Sequence, residues 1–171
     1  RFYMLAPQNT FVMYEEEYHQ INAVIERLTK EANAKIVFLV DKNGQLIASC
    51  GETENIDTTS LASLTAGNIA ATGGLAKLIG EKEFSILFHE GERDNLHISI
   101  IGQRVILVVI FDERSSLGLV RLRVKKAGEE LNGIFDNLLK KVESGPTSGG
   151  GGMDSPFAEI TDEDIDNLFS E

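Results

Sequence analysis

The chain has 171 residues, 42% of them apolar and 25% charged, with a formal net charge of −11 and a single cysteine, Cys50. One ordinary domain with extensions fits that length, and a lone cysteine excludes an internal disulfide framework and suits a reducing, cytoplasmic setting. The acidic balance argues against nucleic acid as the main partner, since phosphate binding needs a basic face, and no apolar run is long enough for a membrane span.

Residues 1–12, RFYMLAPQNTFV, hold one base and scattered apolar residues, a poor signal peptide. They read as a leader outside the domain, disordered or foreign to it, with Met13 as the start. Tyr18, Ile21, Val24, Ile25 and Leu28 recur at helical spacing, so residues 14–31 are predicted to form an amphipathic helix. KIVFLVD (35–41) is continuously apolar and reads as a strand buried on both faces. Asn43-Gly44 signals a hairpin in which both residues tolerate positive φ, and QLIASC (45–50) is the returning strand. Asp57 is a candidate N-cap for a second helix, TTSLASLTAGNIAATGGLAKLIG. Three strands follow: FSILFHE (84–90), NLHISII (95–101) and RVILVVIF (104–111). A type II′ turn is expected at Gly102-Gln103. Leu117, Val120, Val124, Ala127, Leu131, Ile134 and Leu138 then mark a long third helix, roughly 116–142, whose apolar seam packs on the sheet. The predicted fold class is α/β in the order α-β-β-α-β-β-β-α, a five-stranded, mainly antiparallel sheet between helices.

Little in the chain carries chemistry. Gly73-Gly74-Leu75-Ala76-Lys77 lacks the spacing of a phosphate loop, and neither GxGxxG nor GxSxG is present. His19, His89 and His97 are scattered without metal-ligand companions; His89 and His97 read as surface strand residues. Cys50 reads as a small buried group. No metal, no cofactor and no catalytic site of its own are expected.

Interaction features are stronger. Gly67, Ala70, Ala71 and Gly74 crowd one side of the second helix, where each glycine costs roughly 0.5–1 kcal/mol. They serve either close packing on the chain's own sheet, with Leu61, Leu64, Ile69, Leu75 and Leu78 as core contacts, or close approach of another protein. Phe84, Ile86 and Phe88 lie on an expected edge strand, which predicts a homodimer by strand pairing. Arg121, Arg123, Lys125 and Lys126 form a basic cluster: a solvated face, or a contact for an acidic partner or the chain's own tail.

That tail is patterned. Seven of the 27 acids and none of the 16 bases lie in residues 154–171. Thr161 to Asp164 fits a capping box with Asp in the N3 place, and Ile160 with Ile165 makes a hydrophobic staple. Ile165, Leu168 and Phe169 share one helical face, and Pro156 and Phe157 lead in. About two turns of helix are marginal alone. A glycine-rich tether of about ten residues reaches roughly 18 Å, which makes a weak second contact useful. The expected organisation is a leader (1–12), a domain (13–142), a Gly-rich linker (143–155) and a partner-binding helix (156–171).

YEEEYHQINAVIERLTKEANAKIVFLVDKNGQLIAS, NIDTTSLASLTAGNIAATGGLAKLIGE, VVIFDERSSLGLVRLRVKK and SPFAEITDEDIDNLFSE resemble the roadblock/LC7 family, in its myxobacterial, polarity-regulating branch. The resemblance runs from about Met13 to Glu171. It implies the profilin-like roadblock fold and a homodimeric GTPase-activating protein for a small Ras-like polarity GTPase, with two copies of this chain per GTPase. It also implies a role in cell polarity and gliding motility, and localisation at the cell poles. The docking face carries onto Gly67, Ala70, Ala71 and Gly74. The tail from Pro156 to Phe169 carries over as a second GTPase contact, linked to nucleotide exchange. The implied mechanism is indirect, reshaping the GTPase so that its own arginine and glutamine act; Arg114, in DERSS, is the residue an inserted finger would use. Two other readings remain: a roadblock scaffold that tethers a GTPase without activating it, and a profilin-like sensor of a small ligand.

Overall fold

The computed structural model describes residues 14–144. In chain order the elements are α1 (Glu15–Glu31), β1 (Ile36–Asp41), β2 (Leu46–Gly51), α2 (Thr58–Leu78), β3 (Ile86–His89), β4 (Asn95–Ile101), β5 (Val105–Phe111) and α3 (Leu117–Glu143). The strands form one sheet in the order β2-β1-β5-β4-β3, and every neighbouring pair is antiparallel.

The two most apolar runs become the sheet's interior. All six residues of β1 and all seven of β5 are buried, because helices cover both faces there. Strand alternation divides them between two cores. Val37, Leu39, Val105, Leu107 and Val109 face α1 and α3, meeting Ile21, Ile25, Leu28, Val124, Leu131 and Phe135. Ile36, Phe38, Val40, Ile106, Val108 and Ile110 face the other way, toward α2, meeting Ala62, Leu61, Ala66 and Ile69. The seam of α3 packs on the sheet as its spacing predicts, with Phe135 added to it.

α2 and α3 start at capping side chains. Asp57 accepts from the Ser60 N–H at 3.1 Å and opens α2; Ser116 accepts from Leu119 at 3.3 Å and opens α3. Hydrogen bonds to Ser60 hold the Asp57 pKa below the ordinary carboxylate value. Ion pairs tie α1 to α3. Arg27 meets Glu130, Arg123 meets Glu31 at 3.2 Å, and Lys141 meets Glu16 at 3.3 Å and the buried Glu17. The hydrogen bond to Glu17 is the main cause of a raised Lys141 pKa.

Two turns differ from expectation. At Gly102-Gln103 both residues have positive φ, +57° and +59°, which is the type I′ pattern rather than II′. At the first hairpin only Gly44 is positive, at +87°. The Asp41 carboxylate accepts from the N–H groups of Asn43 and Gln45, both at 2.9 Å, and closes a three-residue loop. A buried side chain chose the longer loop, so the Asn-Gly pair did not form a two-residue turn. The strand 84–90 shortens to Ile86–His89, which leaves Phe84 before β3.

Candidate functional site

α2 stands on its sheet by small residues. Its buried positions are Ala62, Thr65 and Ala76, with Leu61, Ala66 and Ile69 partly covered. The helix therefore sits close to the sheet and turns its large apolar side chains outward. Leu64 is 73% exposed, Leu78 85%, and Leu75 and Ile79 are also exposed. The expectation that Leu64, Leu75 and Leu78 supply core contacts is thus corrected. The core beneath α2 is filled from the sheet side by Phe38, Ile98 and Val108, so the fully buried positions of α2 are alanine and threonine, with Leu61 and Ile69 only partly covered.

Gly67, Ala70, Ala71 and Gly74 are all exposed. A Cβ added at Gly67, Gly73 or Gly74 would meet nothing within 4 Å. Close packing within the chain does not explain these glycines. At 100° per residue, Leu64, Gly67, Ala71, Gly74, Leu75 and Leu78 form one outward stripe: a shallow floor of small residues with leucines beside it. No side chain closes off its backbone, so another surface can approach to van der Waals distance.

β3 is an outer strand of the sheet, as expected. It bonds only to β4, in the register Ile86 to Ser99 and Phe88 to His97. Ile86 and Phe88 are exposed, while Phe84 is half-buried and outside the strand.

The basic cluster divides. Arg123 is held by Glu31 and belongs to the α1–α3 contact. Arg121, Lys125 and Lys126 are exposed and form no ion pair with any described residue. Arg114 donates through Nε to Asp112 at 2.9 Å and pairs with Glu52 at 3.0 Å. Those bonds, led by Asp112, push its pKa well above the usual arginine value, and Asp112 is correspondingly lowered. A guanidinium already held by two carboxylates is poorly placed to reach into a partner's site.

His97 is corrected. It does not lie on the surface with His89; it is 1% exposed, on the face of β4 that looks toward α3. Burial, and next the nearby Arg121, lower its pKa, so the ring is neutral. Alternation in NLHISII was the available signal, since it placed His97 and Ser99 on one face; only the covering helix shows that this face is inside. Among the described residues no group of acidic, histidine or cysteine side chains is arranged to hold a metal ion, and no helix is long and apolar enough to cross a membrane. Pro156, Phe157, Ile160, Ile165, Leu168 and Phe169 lie outside the described residues.

The Roadblock/LC7 domain family matches residues 20–111. The chain belongs to the Roadblock/LC7 family. Within it, the chain is of MglB type. A solved Myxococcus xanthus MglB is 72% identical, with a TM-score of 0.71, covering 74% of this chain and 96% of that one. The gliding protein MglB of Thermus thermophilus is 36% identical, with a TM-score of 0.70, covering 73% and 95%. An MglB with tetrameric arrangement is 35% identical, with a TM-score of 0.70, covering 74% and 95%. The roadblock match ends at Phe111, the last residue of β5, so α3 and its buried seam lie outside it. MglB-type roadblock proteins are regulators, and one of these relatives is solved in a tetrameric arrangement.

Proposed function

We propose that this chain is a GTPase-activating protein for a small Ras-like GTPase of the MglA kind, acting as a homodimer with one GTPase per pair of copies. The single observation that carries the reading is the outward stripe of α2, an apolar, glycine-floored face on a chain 72% identical to MglB. Gly67, Ala70, Ala71 and Gly74 form the docking floor. The outer edge of β3, with Ile86 and Phe88, joins two copies by extending the sheet across a two-fold axis. Such pairing sets two α2 stripes side by side, and the combined face is large enough for a globular partner.

Activation is indirect. Phosphoryl transfer from GTP needs a positioned water and stabilised charge, often from an arginine supplied in trans. The α2 stripe has neither, and Arg114 is occupied by Asp112 and Glu52. The chain therefore acts by holding the GTPase's switch region in the arrangement in which its own residues work. The segment Pro156–Phe169 adds a second, tethered contact through Ile160, Ile165, Leu168 and Phe169, linked to nucleotide exchange. In the cell, this activity sets polarity for gliding motility, with the protein cytoplasmic and concentrated at the poles.

The test is GTP hydrolysis by the partner alone, with this chain, and with the variants Ala71→Arg and Arg114→Ala. Stimulation lost in Ala71→Arg, at unchanged melting temperature, and retained in Arg114→Ala is the expected result. Binding without any rate change would replace the activator by a tethering scaffold. Loss of stimulation in Arg114→Ala at unchanged binding would restore the finger.

A further inference from the structure

On the side of the sheet opposite α2, a groove of about 470 Å³ runs between α3 and β4, with Ser85 and Ile86 as its outer wall. That volume is ordinary for a small-ligand site. The helix and the strand run in the same direction along it. A Cβ at Gly102 would lie 2.4 Å from Asn132 Oδ1, and one at Gly128 would lie 3.0 Å from Ile101 Cδ1, while Arg121 acts on His97. α3 therefore lies tight against β4 at the Gly102 end, and Arg121 lies at the His97 end.

Its floor is unusual. His97 and Ser99 are two apart on β4 and so share a face. They are 1% and 5% exposed, they line the groove, and neither ring nitrogen of His97 nor the Ser99 hydroxyl has a hydrogen-bond partner. Buried polar groups are normally paired, because leaving them unpaired forfeits their hydration for nothing. The walls are apolar, chiefly Ile86, Ile101 and Val124, and the rim carries Arg121 and Lys125 against one acid, Glu129. A neutral imidazole offers one donor, Ser99 a second, and Arg121 a charged fork, all three on the lining of one groove. Convergent donors beside a cation call for an anion. Apolar walls call for a hydrocarbon body on it, and a single carboxylate charge is easier to desolvate there than a phosphate.

We propose that this groove binds a small amphiphilic carboxylate, its head among Arg121, Ser99 and His97 and its short aliphatic body between Ile86 and Val124. The site faces away from α2 and does not rest on the GTPase reading. It gives an MglB-type roadblock domain a second input, a metabolite-sized anion.

Octanoate is the probe, titrated into the full chain and followed by NMR at backbone amides and the His97 ring, with octan-1-ol as the headless control. Saturable shifts at His97, Ser99 and Arg121 with octanoate and not with octan-1-ol are expected. Arg121→Gln and Ser99→Ala should each weaken octanoate by about tenfold or more, the usual loss for a hydrogen bond to a charged group. Arg121 is exposed, so that variant tests the site even if Ser99→Ala misfolds. Absent shifts, an equal response to octan-1-ol, or an Arg121→Gln variant that binds like the parent would overturn the proposal. So would groove signals that move in the ligand-free chain on Phe169→Asp, since the tail would then be the occupant.

Discussion

The two faces of the sheet are built to opposite rules. Toward α1 and α3, long side chains interdigitate and ion pairs tie the helices together. Toward α2, one helix buries only alanine and threonine fully, packs Leu61 and Ile69 in part, and turns Leu64, Leu75, Leu78 and its glycines outward. The first face commits its large residues to stability. The second keeps them for a surface that has no counterpart among the described residues. The same contrast separates the two glycine sets: Gly128 lies where α3 touches Ile101, whereas Gly67 and Gly74 face open space.

The sharpest way to break this contrast starts in the core. Phe38 is 1% exposed beneath α2, and Phe38→Ala should lower unfolding stability by about 3–5 kcal/mol in denaturant titration. A loss below about 1 kcal/mol would mean that the α2 side is not a true core. Gly67→Ala and Gly74→Ala should instead raise stability, by about 0.5–1 kcal/mol each, because a helix gains from alanine where nothing obstructs the new methyl. Destabilisation by either would show that the glycines serve packing within the chain. Under the proposed function the same variants lower GTPase stimulation, so stability and activity move in opposite directions.

A smaller effect sharpens the α3 side. His97 has a pKa below its unfolded value of 6.5. Below that pH the unfolded chain takes up a proton that the folded chain refuses, so stability falls on acidification and is untouched above it. Arg121, Lys125 and Glu129 are the charged groups that line the groove with His97; β3 and β5 offer it only Phe88 and Val109 in register. Melting temperatures from pH 8 to pH 5 should decline less for His97→Phe than for the parent chain. Parallel profiles would show that other groups govern the acid limb. The smallest change is expected for Asp57→Ala, which removes the α2 cap. Melting should drop slightly, and a difference from the parent that shrinks as the pH falls below 3.8 would confirm the carboxylate as the cause.

Much of the fold was legible because period and capping are local. The run at 35–41 read as a strand buried on both faces and that at 104–111 as a strand, and Asp57 starts the helix it was expected to cap. The turns were less legible, because their type depended on what lay beyond them: a buried Asp41 at one and a paired φ inversion at the other. The site was half legible. A row of small residues at helical spacing was plain in residues 67–74, but its two readings could not be separated. Whether Leu64, Leu75 and Leu78 filled a core depended on how much of that core Phe38 and Val108 had already taken.

His97 makes the same point more strongly. In NLHISII it is a polar residue at an alternating position, indistinguishable from a surface histidine. It becomes buried only because α3, which follows β5 in the chain, crosses over it. Residue order and spacing dictated the elements, their order and the family, since hydrophobic period, caps and motif identity are carried along the chain. Which face of α2 is outward, which histidine is inside, and that Arg114 and Arg123 are occupied were settled by packing, because burial and charge pairing belong to residues brought together across the sheet.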